Sequence, residues 1–223
     1  MIPSGRVGIL GGTLDPVHLG HLETARAARA ALALEGIIVV PASMPPHRHE
    51  EPAASGFHRF AMAALCAAEH DWMRVSDDEL KAPGPSFTAE TLDRLRASGL
   101  SPSQIFFITG ADAFAEIETW HRFPEVLELA NFAVVSRPGL PVGALPGRLP
   151  ALKSRFVPST QTAPRGDRPA IFLVDAVTPD ISSTEVRRRL AAGESVTELL
   201  CPAVERHICR HGLYGVRHRM PIA

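Results

Sequence analysis

Two histidines three residues apart, His18 and His21, follow an apolar run near the start of the chain. They belong to the segment GGTLDPVHLGH (residues 11–21), which also holds a glycine pair and an Asp-Pro pair. The Asp-Pro pair is typical of a helix start, with Asp15 as the N-cap and the proline in the first turn. The free N–H groups and positive dipole end of such a helix attract phosphate, and both imidazoles can point toward it from one helical face. The segment therefore predicts a phosphate-binding site directly after a strand.

Each of these features also has a plainer interpretation. A glycine pair after a strand is often only a turn, Asp-Pro is often only a cap, and a His-x-x-His pair binds a metal when further ligands join it. Neither common nucleotide fingerprint, GxGxxG or GxxxxGK followed by Ser or Thr, occurs in the chain. Gly20 would only destabilise a first helical turn, and we interpret it as leaving access between the histidines. The combination favours phosphate chemistry, and we predict no metal held by the protein itself.

A second helix start carries polar groups suited to an anion. Residues 182–185 (SSTE) fit a capping box, with Ser182 as the cap and Glu185 reaching back. Arg187 then lies near the first turn, where a cation opposes the helix dipole. An anionic ligand at this helix start would give Arg187 a purpose, because the N–H groups and hydroxyls there can also bind phosphate.

The elements that must position these motifs alternate along the chain. Apolar runs predict strands over 7–10, 37–40, 72–75, 104–109, 131–136 and 170–174. Helical patterns cover 19–34, 57–69, 88–97, 182–192 and 204–211. Residues 137–169 lose periodicity and predict an irregular connection with at most one short strand near 156–157. The alternation predicts an α/β fold, a doubly wound, Rossmann-like parallel sheet with helices on both faces and a small C-terminal helical part. Ligands then sit beyond the carboxyl ends of the strands, where strand order reverses.

Length and composition limit the class of protein. The 223 residues suit one domain, 1–223, with 182–223 as a C-terminal helical subregion. A hydrophobic share of 45% and a net charge of −1 describe a globular protein without a field that would favour nucleic acid. We see no signal peptide or membrane span, and three cysteines without metal spacing indicate the cytoplasm. The sequence leaves a homo-oligomer open.

Other candidate residues have two interpretations each. Gly110 and Asp112 follow a predicted strand, where a carboxylate can accept from ribose hydroxyls or simply cap the next helix. Arg48 stands in a proline-rich loop, and such loops are ordinarily solvated. Trp120 could simply be part of the core, as tryptophan usually is. His207 and His211 lie four apart on a predicted helix, and with no third ligand in view we interpret them as surface or packing residues.

The motifs together resemble a known family. The pattern G-G-x-x-D-P-x-H-x-G-H is similar to the H-x-G-H nucleotidyltransferases. Five further motifs resemble the bacterial nicotinate-nucleotide adenylyltransferases, in the expected order along nearly the whole chain: PPHR (45–48), GPSFT (84–88), TGAD (109–112) followed by Trp120, SRPG (136–139) and ISSTEVR (181–187). The departures from the usual pattern are Leu14 for Phe, Arg48 for Lys, Phe87 for a frequent Tyr, and His121 where an aromatic residue is common.

The resemblance implies transfer of the adenylyl group of ATP to nicotinate mononucleotide, giving nicotinate adenine dinucleotide and pyrophosphate, with Mg²⁺ arriving on the ATP. It implies His21, His18 and Arg187 as the catalytic residues. The implied ATP-binding residues are Gly11, Gly12, Thr13, His18, His21, Arg48, Gly110, Asp112, Ser183, Thr184 and Arg187. Those implied for nicotinate mononucleotide are Phe87, Thr88, Asp112, Trp120 and His121.

Alternative activities are adenylyl transfer to nicotinamide mononucleotide or to phosphopantetheine, or the binding of nucleotide by a regulator that has lost catalysis. The intact His18-Leu19-Gly20-His21 argues against the regulator. We expect the acid to be preferred over the amide, because a carboxylate only accepts hydrogen bonds and would suit backbone N–H groups around 87–88 and 120–121. Phe87 and His121 depart from the family pattern in that pocket, so they bear on this preference.

Overall fold

In the part of the chain that the structure describes, seven parallel strands form one sheet in the order β3-β2-β1-β4-β5-β7-β6. The computed structural model describes residues 5–45, 51–159 and 168–216. The strands are β1 (Val7–Gly12), β2 (Gly36–Pro41), β3 (Met73–Val75), β4 (Ile105–Gly110), β5 (Asn131–Val135), β6 (Phe156–Pro158) and β7 (Ile171–Val174). The predicted parallel α/β sheet is confirmed, as is the short strand near 156–157.

The helices connect and cover these strands. They are α1 (Leu19–Leu32), α2 (Gly56–Ala67), α3 (Asp78–Lys81), α4 (Thr88–Ala97), α5 (Ala111–Phe114), α6 (Leu145–Arg148), α7 (Ser183–Ala192) and α8 (Pro202–His211), with short 3-10 turns between β4 and β6 and after α8. All five predicted helices are present, and their ends differ by at most two residues from the prediction. The helices that the sequence pattern missed, α3, α5 and α6, have four residues each, which is too short to establish a period.

The core is divided by the sheet into two clusters, one on each face. Successive residues of β1 show the division, since Ile9 belongs to one cluster and Leu10 to the other. Helices α1, α2, α7 and α8 contribute to the cluster with Leu10, and α4 and α5 to the cluster with Ile9. The C-terminal helices therefore share a core with β1. Among the described helices, none combines the length and apolarity needed to cross a membrane.

Strand order reverses at β1, which has β2 on one side and β4 on the other. The chain leaves β1 at Gly12 and β4 at Gly110, so the loops that follow these strands open at the same edge of the sheet. This is the crevice that a doubly wound sheet uses for its ligands. The segment with the two histidines and the segment with Asp112 both start there.

Candidate active site

The loop after β1 is anchored by a buried carboxylate. Asp15 is only 1% exposed, and its carboxylate accepts hydrogen bonds from the backbone N–H groups of Ala53 (2.8 Å) and Ala54 (3.1 Å) and from the hydroxyl of Tyr214 (2.7 Å). The N-cap of α1 is His18, so the prediction that Asp15 caps this helix was wrong. An acidic side chain before a proline is compatible with either role, and only the distant partners decide between them. Asp15 ties the loop to the start of α2 and to the C-terminal segment.

The rings of His18 and His21 lie against each other at the start of α1, with centroids 3.7 Å apart and planes inclined by 33°. The backbone N–H of His18 donates to Nδ1 of His21 at 3.2 Å. This is the hydrogen bond that the N-cap residue of a capping box, here His18, makes to the side chain of the third helical residue, here His21. The His18 ring is buried, at 2% exposure, and its Nδ1 has no hydrogen-bond partner among the described residues. The predicted pairing of the two imidazoles at one helix start is confirmed.

Both imidazoles are held in their neutral form. Burial lowers the pKa of His18 to about 3, with a smaller contribution from the Arg137 guanidinium. Burial, then His18 and Arg137, lower the pKa of His21 well below its usual value. Because Nδ1 of neutral His21 already accepts a hydrogen bond, its ring proton lies on Nε2. His21 therefore offers a fixed N–H donor rather than a cation.

A side chain at position 20 would crowd its neighbours. A Cβ at this position would lie 3.0 Å from Cε1 and Nδ1 of the His18 ring and 3.4 Å from the carbonyl oxygen of Ile181. The glycine thus makes room for an imidazole on one side and for the segment before α7 on the other. Our interpretation of Gly20 as opening the space between the histidines misses this contact, because Ile181 is distant in sequence.

The ISSTEVR segment meets the loop after β1. Ser183 Oγ donates to the carbonyl of Pro16 at 3.0 Å, and Arg187 Nη1 donates to the carbonyl of Asp15 at 2.7 Å. Arg187 also lies 3.8 Å from the Asp15 carboxylate, and its Nη2 is 3.5 Å from Thr184 Oγ1. The structure therefore gives Arg187 a protein partner that the sequence argument did not foresee. Two predicted phosphate-binding segments lie side by side.

The start of α7 shows one of the two hydrogen bonds predicted for its capping box. The hydroxyl of Ser182 accepts from the backbone N–H of Glu185 at 3.1 Å. The Glu185 carboxylate pairs with Arg188 and Arg189, each at 2.8 Å, and both hold its pKa at about 2. The cap is confirmed, while the Glu185 side chain is engaged further along the helix and not with the cap backbone.

A cavity of about 550 Å³ opens beside the loop after β1. Its walls come from the ends of β1, β2 and β4, from the start of α4 and from the turns after α5. The lining residues are Gly11, Gly12, Thr13, Ala42, Pro45, Glu79, Ser86, Phe87, Thr88, Phe107, Thr109, Ala113, Glu116, Thr119, Trp120 and His121. The fold thus brings residues 11–13 together with Phe87, Thr88, Trp120 and His121.

The cavity has an aromatic wall and acidic rather than basic side chains. Trp120 meets Phe107 edge to face at 6.0 Å, and Phe87 stacks on His121 at 4.2 Å with ring planes 26° apart. Glu79 and Glu116 are among the described lining residues, and none of those is lysine or arginine. A ligand carboxylate in this cavity could not pair with a lysine or arginine of the described lining. It would therefore need other hydrogen-bond donors, such as N–H groups.

Gly110 and Asp112 lie between Thr109 and Ala113, which line this cavity. Gly110 is the N-cap of α5, so Asp112 stands in the first turn and the alternative of Asp112 as the cap was wrong. Its carboxylate is 61% exposed and 3.8 Å from Arg137 Nε, where it can meet a ligand hydroxyl. Arg48, predicted to reach a phosphate, lies outside the described residues.

Two arginines near the site were not among the predicted residues. Arg137 follows β5 and acts electrostatically on both histidines; its place directly after a strand, in SRPG, was the signal for it. Arg59 is 1% exposed and donates to the carbonyls of Thr13 (2.8 Å) and Ala42 (2.5 Å), which follow β1 and β2. No local pattern marked Arg59, because these partners are backbone carbonyls of other segments.

The paired histidines of α8 pack as expected, with a partner that the sequence did not reveal. His58 Nδ1 lies 3.1 Å from His207 Nε2, and the His207 and His211 rings are 4.4 Å apart. Within residues 5–45, 51–159 and 168–216, no three His, Cys, Asp or Glu side chains are grouped to hold a metal ion.

Known proteins similar to this chain share its length and fold. The model of the cytidylyltransferase-like family matches residues 9–189. A protein of Roseiflexus sp. (strain RS-1) named "Probable nicotinate-nucleotide adenylyltransferase" is 38% identical over 213 residues, 95% of this chain and 98% of that protein. One of the same name from Thermus thermophilus is 40% identical over 210 residues, 94% of this chain and 99% of that one. The solved structure of Plasmodium falciparum nicotinic acid mononucleotide adenylyltransferase complexed with NaAD has a TM-score of 0.71 at 14% identity, covering 96% of this chain and 100% of that one. At that identity the likeness to the structure concerns the fold.

Proposed function

The chain belongs to the cytidylyltransferase-like family, among the nicotinate-nucleotide adenylyltransferases, and from this premise we propose that it transfers the adenylyl group of ATP to nicotinate mononucleotide. A 5′-phosphate oxygen of the mononucleotide forms a bond to the α-phosphorus of ATP, and the bond from that phosphorus to the bridging oxygen breaks. Nicotinate adenine dinucleotide and pyrophosphate are the products. No side chain needs to bond covalently, because the substrate phosphate is itself the nucleophile.

The observation that carries this proposal is the donor array at the start of α1. His21 presents an Nε2–H donor whose orientation is fixed by the hydrogen bond at Nδ1. Arg187 and the hydroxyls of Ser183 and Thr184 stand on the neighbouring α7 start, joined to the same loop. Such a preorganised array stabilises charge on phosphoryl oxygens without having to reorganise during the reaction. We assign His21, with His18 as a second neutral imidazole, to the α-phosphate of ATP.

The positive charge for the phosphates comes from arginine, since the histidines are neutral. We assign Arg187 to the ATP phosphates and add Arg137, which lies beside both imidazoles and near Asp112. Arg48 keeps its predicted role toward the leaving pyrophosphate. Gly11, Gly12 and Thr13 line the cavity, and we assign them to contacts with the nucleotide. Gly110 and Asp112 would contact a ribose.

The pyridine ring of the acceptor fits the aromatic wall of the cavity. We place it against Trp120, near Phe87 and His121, where stacking is available. Helix α4 starts at Thr88, and its N-cap Phe87 has no side chain that can cap it. Phe87 and Thr88 line the cavity, and the first-turn N–H groups and positive dipole end of a helix suit a carboxylate. This supports nicotinate over nicotinamide without a cationic side chain.

We further propose that Mg²⁺ reaches this site bound to ATP. The side chains assigned to the ATP phosphates are those of histidine, arginine, serine and threonine, so oxygen ligands for the ion would come from the phosphates and water. A cytoplasmic location is supported by Cys66, Cys201 and Cys209, which are all free thiols.

The proposal is tested by measuring pyrophosphate release from MgATP with nicotinate mononucleotide, nicotinamide mononucleotide and phosphopantetheine in parallel. We expect release with nicotinate mononucleotide and a dinucleotide product identified by mass spectrometry. Release with phosphopantetheine alone would redirect the activity to another acceptor. A folded protein that binds ATP and releases no pyrophosphate with any of the three would contradict enzymatic function.

A further inference from the structure

His121 is built into the acceptor side of the cavity by two contacts. Its ring stacks on Phe87 at 4.2 Å, and its Nε2 lies 3.1 Å from Oε1 of Glu90, on the first turn of α4. The other carboxylate oxygen of Glu90, Oε2, is buried and has no hydrogen-bond partner among the described residues. The imidazole is thus held beside Trp120 in a defined orientation, with Nε2 toward Glu90.

The Glu90 contact determines what the other ring nitrogen can offer. An ionised carboxylate only accepts hydrogen bonds, so His121 must carry its proton on Nε2 to bond Glu90. In the neutral ring this leaves Nδ1 as an acceptor, whereas in the imidazolium Nδ1 also carries a hydrogen and donates. The nicotinate carboxylate needs a donor, and the nicotinamide NH₂ group needs an acceptor. The two protonation states of His121 therefore favour different substrates.

Several charged groups lie on the elements near this imidazole. Helix α4 contributes Glu90, and the segment after β4 contributes Glu116 at the cavity and Glu125, whose pKa is lowered mainly by its hydrogen bond with Arg122 and to a smaller extent by His121. Arg122 is the neighbouring cation, and it is engaged by Asp93 and Glu125. Glu79 lines the cavity and accepts from Thr91 Oγ1 at 2.5 Å. Among these described groups, carboxylates outnumber guanidinium groups around the ring, and the Arg122 guanidinium is paired.

We propose that His121 is a specificity-determining residue that makes the choice between acid and amide depend on pH, an inference that rests on the proposed function. In the imidazolium form, Nδ1 donates to the nicotinate carboxylate and adds to the N–H groups at the start of α4. In the neutral form, the ring presents a lone pair at Nδ1, which repels the carboxylate and accepts from the amide. The preference for nicotinate mononucleotide over its amide therefore falls as rising pH shifts the ring from the imidazolium to the neutral form.

The test is the ratio of kcat/KM for nicotinate mononucleotide to kcat/KM for nicotinamide mononucleotide, measured at about pH 6 and about pH 8. Titration of the 5′-phosphate is common to both substrates and cancels in the ratio. For the unaltered enzyme we expect the ratio to fall by about tenfold over this range, the scale of one hydrogen bond to a charged group. His121→Phe keeps the stack on Phe87 and removes both nitrogens, so its ratio should not vary with pH.

His70→Phe is the matched control. His70 also stacks on an aromatic ring, Trp72, with planes 26° apart, and lies outside the cavity lining. This variant should keep the pH dependence of the unaltered enzyme. Glu90→Gln should reduce it, because an amide can donate to Nε2 as well as accept from it and no longer determines which nitrogen carries the proton.

The outcomes separate this inference from the proposed function. A ratio that is the same at both pH values, or a pH dependence that persists in His121→Phe, would overturn the role of His121 while leaving adenylyl transfer intact. Failure of the unaltered enzyme to form a dinucleotide from either mononucleotide would instead contradict the proposed function. A ratio that rises with pH would reverse the assigned donor and acceptor states and overturn the inference.

Discussion

His21 acts, in our proposal, as a neutral donor of fixed direction, and its removal gives the most direct test at the scale of one residue. We expect His21→Ala to reduce kcat by about 10²–10³-fold, the cost of losing one preorganised donor to a developing charge. His211 on α8 is exposed, so His211→Ala serves as the control and should keep normal turnover. Circular dichroism establishes that both variants fold, and steady-state kinetics measures the loss. Near-normal turnover of a folded His21→Ala protein would remove His21 from the mechanism.

Tyr214 tests the anchoring of the loop after β1 with the loss of a single oxygen atom. Its hydroxyl donates to the Asp15 carboxylate at 2.7 Å, and its backbone is held in the left-handed region at φ 58°. A hydrogen bond to a charged group contributes about 1.5–3 kcal/mol. We therefore expect Tyr214→Phe to lower the free energy of unfolding by about that amount and to raise KM for ATP more than KM for nicotinate mononucleotide. Urea unfolding and separate titration of the two substrates measure these effects; an unchanged KM for ATP would limit Tyr214 to stability.

At the scale of elements, the starts of α2 and α7 provide a matched pair. Ser55 caps α2 by accepting from the N–H of His58 at 3.4 Å, and Ser182 caps α7 by accepting from the N–H of Glu185 at 3.1 Å. Replacing either cap by alanine should lower the free energy of unfolding by about 1 kcal/mol, which corresponds to about 2–4 °C in Tm for a domain of this size. Only Ser182→Ala should raise KM for ATP as well, because we place the ATP phosphates at the start of α7. Equal effects of the two substitutions on KM would argue against that placement.

At the scale of the whole molecule, the buried imidazoles make stability depend on pH. The pKa of His18 is lowered to about 3, and the pKa values of His21 and His207 are lowered as well. Unfolded histidine takes up a proton near pH 6.5, so between there and about 3 the unfolded chain binds more protons than the folded one. The folded protein is therefore fully favoured above about pH 6.5 and loses stability as the pH falls, by up to about 1.4 kcal/mol per pH unit for each buried histidine.

Urea unfolding at about pH 7, 6 and 5 measures this slope. Above pH 4.5 the histidines dominate it, because the salt-bridged carboxylates of Glu128 and Glu185 titrate below that value. We expect His18→Gln to flatten the slope between about pH 6.5 and 5. A slope that is unchanged in His18→Gln would mean that the ring is protonated in the folded state, and the neutral donors of the proposed site would then be wrong.

Sequence alone determined the features that rest on local patterns. Apolar periodicity and glycine boundaries predicted β1, β4 and the five longer helices, and the alternation of strands and helices predicted the parallel sheet. The cap at Ser182 and the pairing of His18 with His21 follow from residues within one helical turn of each other. These features depend on neighbours along the chain, which is why the sequence was sufficient for them.

Only the tertiary structure decided contacts between segments that are far apart in sequence. Asp15 is of a residue type that commonly caps helices, yet its carboxylate accepts hydrogen bonds from Ala53, Ala54 and Tyr214, up to 199 residues away. The cavity joins Thr13 to residues 86–88 and 119–121, and Glu90 contacts His121 of a later segment. A buried carboxylate or guanidinium must find partners wherever the fold supplies them, and no local pattern records where those are. The residues that could carry the chemistry were thus readable from the sequence, while the groups that orient and tune them were assigned by the packing of the sheet, α2, α4 and α7.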